Sequence, residues 1–526
     1  MERLTLLFAV FATLICPKTF AQTFDLDPDF GLIGSTIVNQ VDEGWINSIV
    51  LQPDGKIVGV GSTSKHGNFD NSSLFRLNQN GQFDSTFGLG GIVVSEISLR
   101  PDGVRSAVLQ PDGKILVAGY MYAFINSQHS DFALSRYLPN GIIDSSFSQD
   151  GITLTDFMGL QDDAYSVKMQ PDGKIIVAGF AVNGNVSDAG DIALVRFMPD
   201  GTQDDSFGIS GKVISGHPGK DRASCMLIRP DGKILVGGSA ISSVTSMSTF
   251  MLAQYTETGD LDTTFGNNGM SISHFGSELN LMQDMVLQPD GKVIAIGSTY
   301  SNGKNNIVAL RYNIDGTLDL SFANSGIFIA PNFGRMEGYS VALQPDGKII
   351  VGGLVGNPSL EDFALLRLLP NGALDYSFGS FSGLVKTDFG AHNHKIYTIA
   401  LQDDGMIVVG GLSTYDIQYA SPIFSRYKEG FVNLVPDPMN SFSIFLTPNP
   451  VIQNARLEYE LKEDAIVSIQ LFDVKGNVLK AVCMGKKQTA GKYFTTIEYP
   501  TELQPGCYLL SILIGDEKII LKTIKQ

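Results

Sequence analysis

Leu109-Gln110-Pro111-Asp112-Gly113-Lys114-Ile115 is the stretch that recurs along this chain. Near copies occupy residues 51–57, 169–175, 228–234, 287–293 and 343–349, and a degenerate one, with Asp403 and Met406 in place of Pro and Lys, occupies 401–407. Successive copies begin 56 to 60 residues apart, and so regular a period marks an architecture stacked from one small unit. In each copy Pro presets φ at the first central position, Asp bonds its own backbone, and Gly takes the left-handed conformation that closes a tight turn. The pairs Asp54 and Gly55, Asp112 and Gly113, Asp172 and Gly173, Asp231 and Gly232, Asp290 and Gly291, Asp346 and Gly347, and Asp404 and Gly405 are therefore read as structural.

Apolar strand-like runs flank the turn, Ala107-Val108-Leu109 before it and Ile115-Leu116-Val117-Ala118-Gly119 after it. A second module follows: Phe132-Ala133-Leu134-Ser135-Arg136-Tyr137, then Asn140-Gly141, Asp144 and Ser146-Phe147, then a Gly-led strand such as Gly151-Ile152-Thr153-Leu154. Equivalent arginines stand at Arg76, Arg196, Arg311, Arg367 and Arg426, with Gln254 the exception. Four short strands per unit, seven times over, predict an all-β fold, a seven-bladed β-propeller of four-stranded blades; a parallel β-helix is the runner-up. The seventh unit lacks its Asp and Phe module, while Asp27-Pro28-Asp29-Phe30-Gly31 stands as an orphan copy ahead of residues 35–40, so the first and last blades are expected to be neighbours.

The signature LQPDGKI, FALxRY and NGxxDxSFG resembles the delta-60 repeat family, whose members are regarded as β-propellers. The resemblance spans residues 25–427 and implies a fold only, so no functional residue is carried over.

Residues 1–21 read as a secretory signal peptide, with Arg3, an apolar run over 4–15 and Thr19-Phe20-Ala21 at the cleavage end. The propeller is assigned to residues 22–433, a linker to 434–445 and a second domain to 446–526, where period-two alternation (Leu457, Tyr459, Leu461; Val467, Ile469, Leu471) predicts a small Ig-like β-sandwich. Pro448-Asn449-Pro450, the turn at Gly476, Gly491 and Pro505-Gly506-Cys507-Tyr508 make this domain resemble the type A C-terminal sorting domain of the type IX secretion system of Bacteroidota. That resemblance implies the type IX machinery as partner, export across the outer membrane, and release or attachment at the cell surface.

The chain carries a net charge of −17, which argues against nucleic acid as a partner. Four cysteines, one of them inside the signal peptide, are no disulfide framework, although Cys483 and Cys507 could pair. The recurring Asp of Asn140-Gly141-Ile142-Ile143-Asp144 invites a calcium reading, but one or two carboxylates per loop suit turn capping better. His392-Asn393-His394 places two imidazoles on one strand face without a third ligand, and reads as a solvated loop pair. No metal or cofactor is predicted, and no phosphate loop or nucleophile elbow occurs.

Numbering the Gly-led strand first, the Pro-Asp-Gly turns and the Asn-Gly/Asp/Phe connections share one face of the ring. The opposite face carries the variable stretches 66–73, 120–130, 181–190, 239–248, 298–306 and 354–361. Ligand contacts are expected there, from Tyr120, Tyr122, Phe124, His129 and Tyr300, and Phe157, Phe275, Phe333 and Phe389 are expected to plug between blades. The expected function is a monomeric, secreted or surface-attached, non-enzymatic binding or scaffold module for a glycan or surface protein; the alternative is a polysaccharide hydrolase or lyase with acidic residues in the channel.

Overall fold

In the computed structural model every regular element among the described residues is a β-strand. The structure describes residues 22–41, 43–64, 71–95, 102–122, 129–182, 190–216, 219–242, 247–275, 279–301, 303–331, 333–379, 382–390, 393–414, 420–431, 444–447, 451, 453–473, 478–500, 503, 506–515 and 517–525. They fall into one compact unit of residues 24–430 and another that holds the described residues of 431–526 together with 22–23.

Within the larger unit the described strands make four four-stranded antiparallel sheets, one of eight strands in which two four-stranded sets are joined by the single parallel pair Ser248↔Leu279, and one of five that includes Gln22–Leu26, so that seven blades can be followed round the ring. The second is representative: Asp102–Leu109, Ile115–Met121, Asp131–Tyr137 and Ile152–Thr155 lie side by side in that order. Leu109 pairs with Ile115 across the Pro-Asp-Gly turn. The strand ahead of the turn is innermost, and the Gly-led strand is the outer edge of the same sheet. The blade is thus phased one strand later than the sequence numbering implied, while the assignment of connections to the two faces is unchanged.

The seven turns share one geometry. Gly55, Gly113, Gly173, Gly232, Gly291, Gly347 and Gly405 have φ between +79° and +86°, a conformation that a residue with a Cβ rarely adopts. Each donates its amide to the carbonyl three residues back, as Gly113 does to Gln110 at 2.9 Å and Gly405 to Gln402 at 2.9 Å. The preceding aspartate accepts from the amide two residues on, Asp112 from Lys114 at 3.2 Å and Asp404 from Met406 at 3.0 Å. Their surroundings differ, however. A Cβ on Gly232 would stand 1.8 Å from the Glu257 carboxylate and one on Gly55 2.3 Å from the Gln79 amide, while Ile314 and Pro370 lie 3.0 and 3.3 Å from such an atom on Gly291 and Gly347. Gly173 has only Pro199 at 3.7 Å and Gly405 has open space, so in those two blades the backbone conformation alone calls for glycine. None of the seven lines the central channel described below.

The blades cannot bury their apolar faces alone. Seven hydrophobic clusters, each shared by two neighbouring sheets, run round the ring. In the last of them Val408 and Phe424 of the seventh blade pack on Ile46 and Phe75 of the first, with the Phe75 and Phe424 rings edge to face at 6.4 Å. Each fully buried aliphatic or phenyl side chain contributes about 1.5–3 kcal/mol, so the ring is stabilised through its interfaces. Tyrosines ending the third strands add polar stitches, Tyr312 donating to Ser273 at 2.8 Å and Tyr427 meeting Thr387 at 2.7 Å on the preceding blade. Phe157, Phe275 and Phe389 pack edge to face on Phe132, Phe250 and Phe363 at 5.0, 5.2 and 5.2 Å, and Phe333 joins the core between blades five and six.

The seventh blade takes its outer strand from the start of the chain. Ser35–Ile37 pairs with Ala420–Phe431 in the register Ser35↔Ser425, Thr36↔Phe424 and Ile37↔Ile423. The repeated module is rebuilt across this joint. In the second blade Arg136 Nε donates to Asp144 Oδ2 at 2.8 Å, its guanidinium lies 4.5 Å over Phe147, and Lys114 adds an ion pair at 3.0 Å. In the seventh, Arg426 uses Asp27 at 2.8 Å and Phe30 at 4.7 Å. Asp144 Oδ1 also accepts from the Ser146 amide and hydroxyl. Burial opposes ionisation of Asp144, but the Ser146 hydroxyl, Lys114, the Ser146 amide and Arg136 together hold the carboxyl well below the usual carboxylate range.

Two blades replace residues of the pattern and repair it locally. The fourth has Gln254 in place of Arg, and Arg229 in place of the Gln before Pro-Asp-Gly; Gln254 donates to Asp262 at 2.8 Å while Arg229 stands 5.9 Å over Phe265. The seventh lacks the turn lysine, Met406 standing there instead, and Lys428 pairs with Asp27 at 2.7 Å in its stead.

The smaller unit is a sandwich. One sheet holds Ile444–Thr447, Asn454–Leu461 and Gly491–Glu498; the other runs Val478–Gln488, Ala465–Phe472, Gly506–Ile514, Glu517–Lys525. Leu457, Val467, Ile469, Leu471, Leu510 and Ile512 fill the space between them. Its first strand begins at Ile444, two residues inside the segment assigned as linker. Gly491 and Gly506 open strands and Tyr508 is buried, whereas Pro448, Asn449, Pro450 and Gly476 lie outside the described residues. Cys483 is a free thiol, and the strand Ala465–Phe472 separates its strand from that of Cys507.

A candidate binding site at the channel mouth

The site begins with a glycine. Gly119 lies on the second strand, and a Cβ there would sit 1.8 Å from the Gly103 carbonyl oxygen; Gly61, Gly179, Gly238, Gly297, Gly353 and Gly411 are confined in the same way in the other blades. Opposite each glycine the innermost strand slips register, in the second blade between Val104 and Ser106, so one residue bulges out of the ladder. The extruded residues, one per blade, are Asn47, Arg105, Tyr165, Ser224, Gln283, Tyr339 and Tyr397, and all seven line a central channel of about 430 Å³.

Next to them runs a ring of small polar groups. Ser48, Ser106 and Ser340 accept from the amides of Ala107, Val167 and Ile399 on the next blade at 3.3, 3.3 and 3.2 Å. In the fifth blade Asp284 takes the serine's place, its Oδ2 accepting from Val341 at 3.0 Å and Oδ1 from Met285 at 2.8 Å. Burial pushes its carboxyl above the ordinary range, against the pull of those amides and of Lys168. Asp284 is the only carboxylate among the described residues that line the channel, beside Arg105 and Lys168. Cys225 also borders it, and burial, then the charge of Asp284, raise its thiol far from the reactive range.

At the mouth on the variable face, cations and rings alternate. The Arg105 guanidinium lies 5.7 Å from the Tyr120 ring and 5.4 Å from the Tyr165 ring; that of Arg222 lies 4.9 Å from Tyr165 and 4.9 Å from Phe180. Arg222 Nη2 donates to the Tyr165 hydroxyl at 2.6 Å. Among the described residues neither arginine has a carboxylate partner, and Arg105 Nε is buried without a hydrogen bond. The acids across the mouth are already matched: Glu337 by Arg335 at 2.5 Å and by the Tyr339 hydroxyl at 2.5 Å, Glu361 by Lys395 at 3.0 Å and by Arg335. Half-buried Trp45 occupies in the first blade the position that Arg222 holds in the fourth.

Between the second and third blades, oxygens of Asp131, Asp156 and Asp162 lie within 4.8 Å of one another. Asp162 is fully buried; burial, then the carboxylates of Asp156, Asp131 and Asp163, push it up to about 7 although the Phe157 amide donates to it at 2.7 Å.

Of the residues singled out by sequence, Tyr120 belongs to the arginine and aromatic stack. Tyr122 is half-buried just past its strand, His129 is half-buried beside the Asp131 carboxylate, and Tyr300 is 36% exposed on the fifth blade, paired with Leu279 and Asn305. Phe124 and His392 lie outside the described residues. His394 is no solvated loop residue: it is 1% exposed on an innermost strand, its Nδ1 3.0 Å from the Ser413 hydroxyl and its ring 5.3 Å from Phe389. Arg105, Tyr165 and Arg222 escaped sequence reading because they sit within strands; the invariantly placed glycine of the following strand is the signal that marks the bulge.

Two family models match this chain. Residues 52–87, 110–147, 170–207, 229–265, 288–322 and 344–378 match the family described as a domain of unknown function (DUF5122) beta-propeller. Residues 445–526 match the secretion system C-terminal sorting domain. No curated protein matches. Similar solved structures include a protein of unknown function from Dyadobacter fermentans (12% identity, 77% of this chain and 100% of that one, TM-score 0.44), the polysaccharide lyase Uly1 (10%, 76% and 92%, 0.43) and the β-propeller domain of the Trilobed protease from Pyrococcus furiosus (10%, 76% and 99%, 0.41).

Proposed function

We propose that this chain, which is built from DUF5122 beta-propeller repeats and ends in a type IX secretion sorting domain, is a non-enzymatic binding module that takes its ligand at the channel mouth on the variable face. The sorting domain directs export through the type IX machinery to the exterior or the cell surface, with residues 1–21 as the signal for the first membrane. The observation that carries the binding reading is the channel lining. Glycoside hydrolysis uses two carboxyl groups roughly 5–10 Å apart, and the described lining offers Asp284 alone, held by backbone amides in a position where the first, second, third and sixth blades have serine. The uniform face is committed to folding, since its repeated Asp, Arg and Lys satisfy one another.

The test is a glycan array probed with the purified protein, paired with an assay for released reducing ends or unsaturated products. Binding without product is expected; turnover would replace the binding reading with the hydrolase or lyase alternative.

A further inference from the structure

Resting on the binding reading, we infer that the ligand is an acidic sugar, whose carboxylate or sulfate is held by Arg105 and Arg222 at the channel mouth. Three observations converge on that chemistry. First, the six repeat arginines each meet an aspartate, as Arg136 does Asp144 at 2.8 Å, whereas among the described residues Arg105 and Arg222 meet aromatic rings and a phenol and no carboxylate. A guanidinium held against rings keeps N–H groups that no carboxylate occupies, and two of them can grip two oxygens of a carboxylate or sulfate. In a chain of net charge −17, local cations without acids select for an anion held at one place and not for polyanions in general.

Second, the Tyr165 ring has Arg105 and Arg222 as its two cationic neighbours, so the two guanidinium groups are fixed relative to one another before any ligand arrives, which lowers the ordering cost of binding. Third, the cavity behind them is lined by hydroxyl and amide groups, among them Ser106, Ser166, Gln283 and Tyr397. A polyhydroxylated ligand answers such a wall, while an apolar peptide side chain would leave it without hydrogen bonds. Of the two charged groups a sugar carries, carboxylate and sulfate, either fits the arginine edges.

The test is calorimetric titration of the purified protein with oligogalacturonate, a sulfated oligosaccharide and neutral cello-oligosaccharide, for wild type and for the R105Q/R222Q double variant, with thermal melting as the fold check. One acidic ligand is expected to bind more tightly than the neutral one, to weaken with added salt, and to lose about tenfold or more in affinity in the double variant at unchanged melting temperature. Whichever acidic oligosaccharide binds identifies the charged group. Neutral binding that the double variant retains would overturn this inference and leave the binding module standing. Acidic ligand bound equally by the double variant, or no oligosaccharide bound at all, would also overturn it, and product release would remove both readings.

Discussion

Arg426 Nε donates to Asp27 Oδ2 at 2.8 Å, joining residues 399 positions apart in the chain and closing the ring. The same bond elsewhere spans eight positions within one blade, as between Arg196 and Asp204 at 2.7 Å. Removing one partner of a buried pair costs about 3–5 kcal/mol, so Arg426→Ala and Arg196→Ala should both lower the denaturation midpoint. Only Arg426→Ala should also release the N-terminal strand, seen as rapid proteolytic clipping within residues 22–40 under native conditions. Equal protection of that segment in both variants would contradict closure by this strand.

Arg229 and Gln254 have exchanged roles in the fourth blade. Gln254→Arg alone brings a second guanidinium to the Asp262 and Phe265 corner, and Arg229→Gln alone leaves Phe265 uncovered; each should destabilise. The double variant restores the arrangement of the other blades, so a double-mutant cycle by urea denaturation should show compensation of about 1 kcal/mol or more. Additive losses would mean that the two sites act separately.

Asp162 sets a pH dependence. Its folded pKa of about 7 lies above the ordinary value of 3.8, so the native state holds a proton that the unfolded chain releases. Stability should therefore fall as pH rises from about 4 to 7 and level off above. Asp162→Asn removes the effect: in chelator-treated buffer its melting temperature relative to wild type should climb across that range and then stay flat. A difference independent of pH would contradict the assignment.

Deleting residues 446–526 should stop export at the periplasm while leaving the propeller folded, since residues 24–430 form their own compact unit. Fractionation of cells checks this; undiminished appearance of the truncated chain outside would refute the role of the domain.

The blades were legible because their signals are local. Pro-Asp-Gly turns, alternating strands and the orphan Asp27 to Phe30 copy each depend on a few adjacent residues, and the period repeats them until chance is excluded. The phase of the blade was not legible, since nothing local distinguishes an inner edge from an outer one. Tyr120 was found as an aromatic at a variable loop, but its partners Arg105 and Tyr165 lie in regular strands, Tyr165 in another repeat. They reach the mouth because Gly119 and its equivalents allow a bulge, a pairing between strands that one strand's pattern does not reveal. His394 misled for the same reason, its burial coming from Phe389 and Phe363.

On the reading proposed above, one face of this ring is spent on folding and the other is the binding face. That division is checked by measuring binding and melting temperature together for Arg105→Ala and Tyr165→Ala on the variable side against Asp144→Ala and Asp204→Ala on the uniform side, using the strongest array ligand. Loss of binding at near wild-type melting temperature is expected for the first pair, and loss of melting temperature with affinity retained in the cold for the second. Binding that survives the first pair and vanishes in the still-folded second would contradict it.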